Sequence, residues 1–324
     1  MAGAIMRNVL EAALLTPTLV LALSMSAVAG PLEDAYVAYE RGNYAIAVLL
    51  FRPLAEQGNA QAQAQLGFMF NSGRGVPQDY EQAAAWYRRS AEGGNAAGQY
   101  NLAMMYDKGH GVPQDYAQAV LWYRKSASQG DADAQLNLGV KYAKGEGVPL
   151  DYTQALKWHR KAAEQGLASA QYNLGLMYEN GRGVSQDYIE ALTFYRKAAD
   201  QGLASAEYNL GLMYDNGRGV PPDYTEAVRW YRKSASQGNT RAQLNLGVKY
   251  AKGEGVHQDY VQAHLWFSLA ASRSFSAADR EIRDEAVENC DLVASMMTTS
   301  QIAEAHKLAR DWRPSPQPRD EQPR

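Results

Sequence analysis

Residues 203–238 read LASAEYNLGLMYDNGRGVPPDYTEAVRWYRKSASQG, and the way this stretch recurs decides the fold. At its centre, Gly217-Arg218-Gly219-Val220 is one of six Gly-x-Gly-Val tetrapeptides. The others start at Gly73, Gly109, Gly145, Gly181 and Gly253, each 36 residues after the last. A fixed period of about 20–50 residues marks a stacked repeat protein, whose units bury their apolar faces only against their neighbours. Six copies of one motif cannot be six copies of one active site, so the recurring chemistry is expected to be structural.

Outward from the tetrapeptide, each unit reads as two helices. The first (helix A) carries Ala, Leu and Tyr four residues apart, as in Ala170, Leu174 and Tyr178, with Gly175 beside the leucine. That is the i, i+4, i+8 stripe of an amphipathic helix. A glycine costs about 1 kcal/mol in a helix interior, so the partner helix is expected to cross closely there. The second (helix B) carries Ala119, Trp122, Tyr123, Ser126 and Ala127. Asp115 is its expected N-cap and Gln118 completes a capping box. The pairing recurs as Asp79/Gln82, Asp151/Gln154, Asp187/Glu190, Asp223/Glu226 and Asp259/Gln262. Arg124 and Lys125 suit the last turn and Gly130 the C′ position. The first loop glycine is expected to end helix A in a left-handed conformation and the second to make a further turn at positive φ. The valine is expected to plug the base of the pair.

The units start at Asn59, Asn95, Asp131, Leu167, Leu203 and Asn239, giving six repeats over 59–271. Residues 30–58 form a degenerate unit: Tyr44, Ala47, Phe51, Ala55 and Gly58 precede Tyr80, Ala83, Tyr87, Ala91 and Gly94 by the same period. Residues 272–312 are expected to supply capping helices, one opened by Ser276 and Asp279 and one by the capping box Thr298/Gln301. Residues 313–324, proline-rich and charged, are expected to be disordered. Trp122–Val148 and Trp230–Val256 are identical except at 131–133 against 239–241, which indicates duplication of a three-unit block.

Residues 1–29 read as a secretory signal: Arg7, a short apolar run over Ala12 to Met25, and the small-x-small site Ala27-Val28-Ala29. The expected location is therefore periplasmic or secreted, with membrane attachment only if the segment stays uncleaved. The one cysteine, Cys290, cannot staple the chain internally; its helical context favours burial. A formal net charge of −3 lacks the basic footprint of a nucleic-acid binder.

The motifs Ala-Gln-x-x-Leu-Gly-x-x-Tyr, Gly-x-Gly-Val-x-x-Asp-Tyr and Ala-x-x-Trp-Tyr-x-Lys-Ser/Ala-Ala resemble the Sel1-like repeats, relatives of the tetratricopeptide repeats. The stretch Met297 to Ala305 is similar to the closing segment of many exported bacterial members. The resemblance implies an all-α, right-handed solenoid of helix pairs and a role in protein–protein interaction. In bacteria it further implies envelope signalling, exopolysaccharide systems or contact with host proteins. A cysteine-rich branch linked to β-lactams is not matched, because the paired cysteines are missing here.

Other chemistry finds little support. The glycine loops lack the Lys-Ser/Thr of a phosphate-binding loop and lead into acidic caps. The histidines at 110, 159, 257, 264 and 306 form no ligand spacing, and His159 replaces Tyr123 or Tyr195 as a packed ring. No nucleophile has an evident base. No cofactor is expected and the chain is read as non-enzymatic; the alternative is a cell-wall glycan-binding or hydrolytic protein. Trp86, Trp122, Trp158, Trp230 and Trp266 are core by spacing.

The face of helix A away from its Ala/Leu/Tyr stripe is the candidate site, since in tetratricopeptide relatives it lines the concave groove. It carries Tyr100, Met104 and Asp107, then Tyr172, Leu176 and Glu179, then Tyr208, Leu212 and Asp215. Exposed, these would make a tyrosine and aliphatic trough with an acidic edge, suited to an apolar peptide bearing basic residues. Packing against the next unit is the competing expectation. The tyrosines are expected to be removable without loss of stability. Asparagines 101, 137, 173, 209 and 245 are expected to bond inter-repeat backbone.

Overall fold

A computed structural model describes residues 30–272 and 277–315, with backbone alone at 277–279. The expected signal (1–29), the expected helix start at Ser276 and the end of the tail (316–324) lie outside the described residues. Among the described residues there are sixteen helices and no strand. The chain divides after Gln129 into two compact units.

The first unit holds α1 (Pro31–Glu40), α2 (Tyr44–Glu56), α3 (Ala60–Ser72), α4 (Tyr80–Glu92), α5 (Ala96–Lys108) and α6 (Tyr116–Ser128). The second holds α7 (Ala132–Lys144), α8 (Tyr152–Glu164), α9 (Ala168–Asn180), α10 (Tyr188–Asp200), α11 (Ala204–Asn216), α12 (Tyr224–Ser236), α13 (Thr240–Lys252) and α14 (Tyr260–Ala271). It closes with α15 (Ala277–Ala294) and α16 (Thr299–Asp311), both packed on α14. In each repeat the odd-numbered helix is helix A and the next is helix B. No helix of the described residues is long and apolar enough to cross a membrane.

Each repeat is locked by one ring. Tyr87, Tyr123, Tyr195 and Tyr231 of the B helices are at most 1% exposed, and the A-helix leucines Leu66, Leu102, Leu174 and Leu210 are fully buried as well. The helix A glycine makes this possible: a Cβ on Gly211 would sit 2.4 Å from Tyr231 Cδ1. The close approach is therefore made by the partner helix's aromatic side chain. His159 and Phe267 fill the same place over Gly139 and Gly247. Replacing such a ring by Ala should cost on the order of 3–5 kcal/mol. The tryptophans are more peripheral: Trp86, Trp158, Trp230 and Trp266 are 2–9% exposed, and Trp122 is only half-buried, contrary to the reading that all five are core. Among the described residues a cation lies over each of these rings except Trp266, for example Lys125 over Trp122 at 3.9 Å.

The loop glycines behave as expected and do more. Gly217 ends α11 at φ +66. Gly219, at φ +72, is also pressed on the preceding repeat, where a Cβ would meet the Tyr188 carbonyl oxygen at 2.4 Å. The second glycine is thus a stacking contact as well as a turn. The aspartate caps form, as where Asp223 accepts from the Glu226 backbone N–H at 3.0 Å, but the capping box closes fully at Thr298/Gln301. The reason lies in the Asp backbone: Asp223 N–H already donates to the Tyr214 carbonyl of helix A, so Glu226 turns to Arg229 instead. Leu167 and Leu203 stand at N-caps without a side-chain bond, and Leu203 is buried instead.

A side-chain amide ladder joins successive repeats. Gln129 donates to the Gly94 carbonyl and to Gln99 Oε1 at 3.0 and 2.8 Å in the first unit. Gln165 and Gln201 repeat this in the second, on Gly130/Gln135 and Gly166/Gln171. Cys290 is half-buried rather than buried, its Sγ 3.4 Å from Ser268 Oγ. The start of the tail is tied down: Ser315 N–H donates to the Ser236 carbonyl at 2.8 Å.

Candidate functional site

The nine candidate residues are all half-buried, neither free in a groove nor sealed in the core. Three of them, Tyr100, Met104 and Asp107 on α5, belong to the first unit. There the Tyr100 ring lies 6.0 Å from that of Tyr123, whose hydroxyl donates to Asp107 at 3.4 Å. The other six belong to the second unit, where Tyr172 and Leu176 of α9 and Tyr208 and Leu212 of α11 pack against one core cluster.

These tyrosines are anchored. Tyr172 lies 5.7 Å from the Tyr195 ring and Tyr208 lies 6.1 Å from Tyr231. The Asn209 side-chain amide acts on the phenols of Tyr172 and Tyr195, and that of Asn245 on Tyr208 and Tyr231, in each case favouring the ionised form. Burial raises the Tyr172 phenol above its usual range and the Glu179 carboxylate adds to this, while Asn209 and the Arg241 guanidinium oppose it. Burial likewise raises Tyr208, opposed by Arg241 and Asn245. Half-buried and packed on rings and the core cluster, these tyrosines are not free surface groups, so their removal is expected to carry a cost that the reading from sequence did not assign.

The expected acidic edge is also altered, because its carboxylates are engaged internally. Glu179 accepts from the Tyr195 hydroxyl at 2.5 Å and pairs with Arg218 at 3.3 Å. Asp215 accepts from Tyr231 at 3.1 Å and pairs with the buried Lys249 at 2.5 Å. Lys249 also holds Glu254 at 2.7 Å and lies over the Tyr224 ring at 4.4 Å. Burial pulls the Lys249 ammonium down, but its bonds to Asp215 and Glu254 outweigh this and leave it raised. The sequence held a signal for this arrangement. Where helix B offers a tyrosine hydroxyl (Tyr123, Tyr195, Tyr231), helix A supplies Asp107, Glu179 or Asp215. Where it offers His159 or Phe267, helix A has Ala143 or Ala251. Repeat one has Asn71 instead, and among the described residues the buried Tyr87 hydroxyl has no hydrogen-bond partner.

Two residues that sequence reasoning passed over are Lys249 and Arg218. Lys249 takes the position of Met177 and Met213, and in its repeat the loop carries Glu254 where the others carry Arg182 and Arg218. Arg218 lies over the Tyr188 ring at 5.9 Å and Lys249 over Tyr224, so either solution places one cation on the preceding repeat's first B-helix tyrosine. Among the described residues no group of three His, Cys, Asp or Glu is disposed to hold a metal ion.

Tandem helix pairs whose polar groups mostly tie one repeat to the next define an all-α repeat protein of the solenoid class. The particular family follows from comparison: the Sel1 repeat matches six times, at 60–95, 96–131, 132–167, 168–203, 204–239 and 240–275, and the chain belongs to the Sel1 repeat family. It is similar to a protective antigen present in uropathogenic Escherichia coli strains that displays an SLR fold, with TM-score 0.69 and 36% identity over 82% of this chain. The match spans 64% of that antigen's length. A Sel1 repeat protein from Oxalobacter formigenes gives TM-score 0.70 and 32% identity over 77% of this chain and 99% of its own. Comparison with functionally curated proteins gives no match. Sel1 repeat proteins generally mediate protein–protein interaction and are generally non-catalytic.

Proposed function

We propose that this chain is an exported, non-catalytic scaffold that binds a protein or peptide segment along the A-helix face of its repeats, in the periplasm or outside the cell. The observation that supports this reading is the row Tyr172, Leu176, Tyr208 and Leu212. Two successive A helices, α9 and α11, present the same apolar pair half-exposed and packed from behind on one core cluster. Rigid tyrosines with apolar neighbours lose little entropy on binding and are common interface anchors. The secretory reading of residues 1–29 supports export, and envelope signalling, exopolysaccharide systems or host contact are the contexts it would serve.

A photo-crosslinking amino acid placed at Leu176 or Leu212 tests the site in the producing cell, with Thr193 on helix B as the comparison. Adducts from the A-helix positions that Thr193 does not give are expected. Adducts from Thr193 alone, or none, would refute the assignment. Amino-terminal sequencing of the chain from the envelope and the medium should find it starting at Gly30; an intact Met1 would refute cleavage.

A further inference from the structure

We propose that the exposed face of α6 is a docking seat for α15 of a second copy of this chain. Leu121 and Trp122 would meet Val287 and Leu292, and Lys125 would meet Glu288 and Asp291. The contact joins a B helix to a closing helix, so it stands independently of the A-helix reading above.

The first observation is that the chain already covers one such seat with a helix. The dipeptide Leu-Trp occurs at 121–122 in α6 and at 265–266 in α14. In α14 the pair and Leu269, one turn on, are only 7–8% exposed. They share a cluster with Ala309 of α16 and with Trp312 just after it, so α16 lies over them. In α6 the same leucine is 42% exposed, and Trp122 is half-buried against the first unit's core. The fold does not require a leucine there, since Ala85, Lys157, Thr193 and Arg229 hold the place in other repeats and are all exposed. A lone exposed leucine is ordinary. One beside a tryptophan, in a pairing that elsewhere seats a helix, is not.

The second is the charge of the seat. Where α14 has Leu269, α6 has Lys125, whose ammonium lies over the Trp122 ring at 3.9 Å. Arg124 is exposed beside it, and α6 contains no Asp or Glu. At about 100° per residue, Lys125 falls between Leu121 and Trp122 around the helix. A helix that covers this face must therefore pair apolar residues with carboxylates, because burying the ammonium without a counter-charge is costly.

The third is that α15 is such a helix. Its inner side packs on α14 through Ala286 and Val293, both buried, with Ile282 and Cys290. Its other side exposes Val287 and Leu292 together with Asp284, Glu288 and Asp291, at the i, i+3, i+4, i+7, i+8 spacing of a single stripe. Asp284 is paired with its neighbour Arg283 at 2.6 Å, whereas among the described residues Glu288 and Asp291 form no ion pair. The stripe thus offers two apolar residues and two uncommitted carboxylates to a seat of two apolar residues and two cations. Each copy carries both faces, so the contact is heterologous and either closes into a ring or runs on as an open chain.

The test is sedimentation velocity of the full chain over a wide range of concentration, at low and at high salt. Wild type should associate as concentration rises, and less so at high salt, where exposed charges are screened. Leu121→Arg should weaken association by about tenfold or more, the worth of one leucine buried at a contact. The fold tolerates that change, since Arg229 holds the same place in α12. Lys125→Glu, and Glu288→Lys with Asp291→Lys, should each weaken association several-fold. An equimolar mixture of those two variants should restore it, because each then offers the other complementary faces. A photo-crosslinking amino acid at Leu121, in a mixture of isotope-labelled and unlabelled chains, should give mixed-label adducts on α15. A monomer at every concentration would overturn the proposal, as would association that Leu121→Arg leaves intact. Charge-reversed variants that stay apart when mixed, or adducts on any element other than α15, would overturn it as well.

Discussion

Glu207 stands in the amide ladder where the other repeats carry Gln63, Gln99, Gln135, Gln171 and Gln243, and it is 3% exposed. In four of those repeats the glutamine Nε2 donates to the carbonyl eight residues earlier, at 2.9–3.5 Å. The corresponding carbonyl here is Ala199 on α10, one of whose lone pairs is taken by Gly202 N–H. A protonated Glu207 can donate to the other; a carboxylate cannot. Gln237 donates to Glu207 Oε2 at 2.8 Å, and burial pushes the carboxyl up from 4.5 to about 7, with Lys233 and Gln237 opposing. Between those values the folded chain keeps a proton that the unfolded chain has released. Stability therefore falls as pH rises from about 4.5 to about 7 and is level above. The full effect is on the order of 3 kcal/mol. Glu207→Gln should remove it, stabilising the protein by about that much near pH 8 and hardly at all near pH 4.5. Urea unfolding at both pH values gives the difference. Hydrogen exchange in α11 should localise it, which matters because repeat arrays can unfold in parts. No gain at the higher pH, or an equal gain at both, would refute the reasoning.

His159, 2% exposed, acts in the opposite direction: burial lowers its pKa from 6.5 to about 4, so stability is lost as pH falls through that window. His159→Phe should abolish that acid-side loss, and a wild-type profile flatter than either single variant's should follow from the two opposed residues; melting curves across the window would check both. Lys249→Met should destabilise by about 3 kcal/mol or more, by stranding Asp215 and Glu254. Adding Glu254→Arg should recover most of it, since Met213 with Arg218 is the neighbouring repeat's own solution; a double variant no better than the single, by urea midpoint, would refute the exchange.

Much of this architecture was legible because it is local. The two-helix unit, the left-handed glycines, the aspartate caps and the Thr298/Gln301 box follow from conformational preferences within a few residues, and the fixed period multiplied each signal. The capping boxes at the B helices failed for a reason no local reading holds: the Asp N–H was already spent on a helix A carbonyl, that of Phe70 for Asp79 and of a tyrosine for the other five. The candidate face was located by helical spacing, but its character was misread. The chain positions that neutralise its acids lie 39 and 34 residues away, at Arg218 and Lys249.

The sequence by itself determined the class of fold, the number of repeats and the positions that must be glycine, aromatic or acidic, since periodicity and backbone chemistry act along the chain. The tertiary structure decided which charges remain available to a partner. A carboxylate beside its own helix reads as free, and only stacking brings the tyrosine hydroxyl, the arginine or the lysine that engages it.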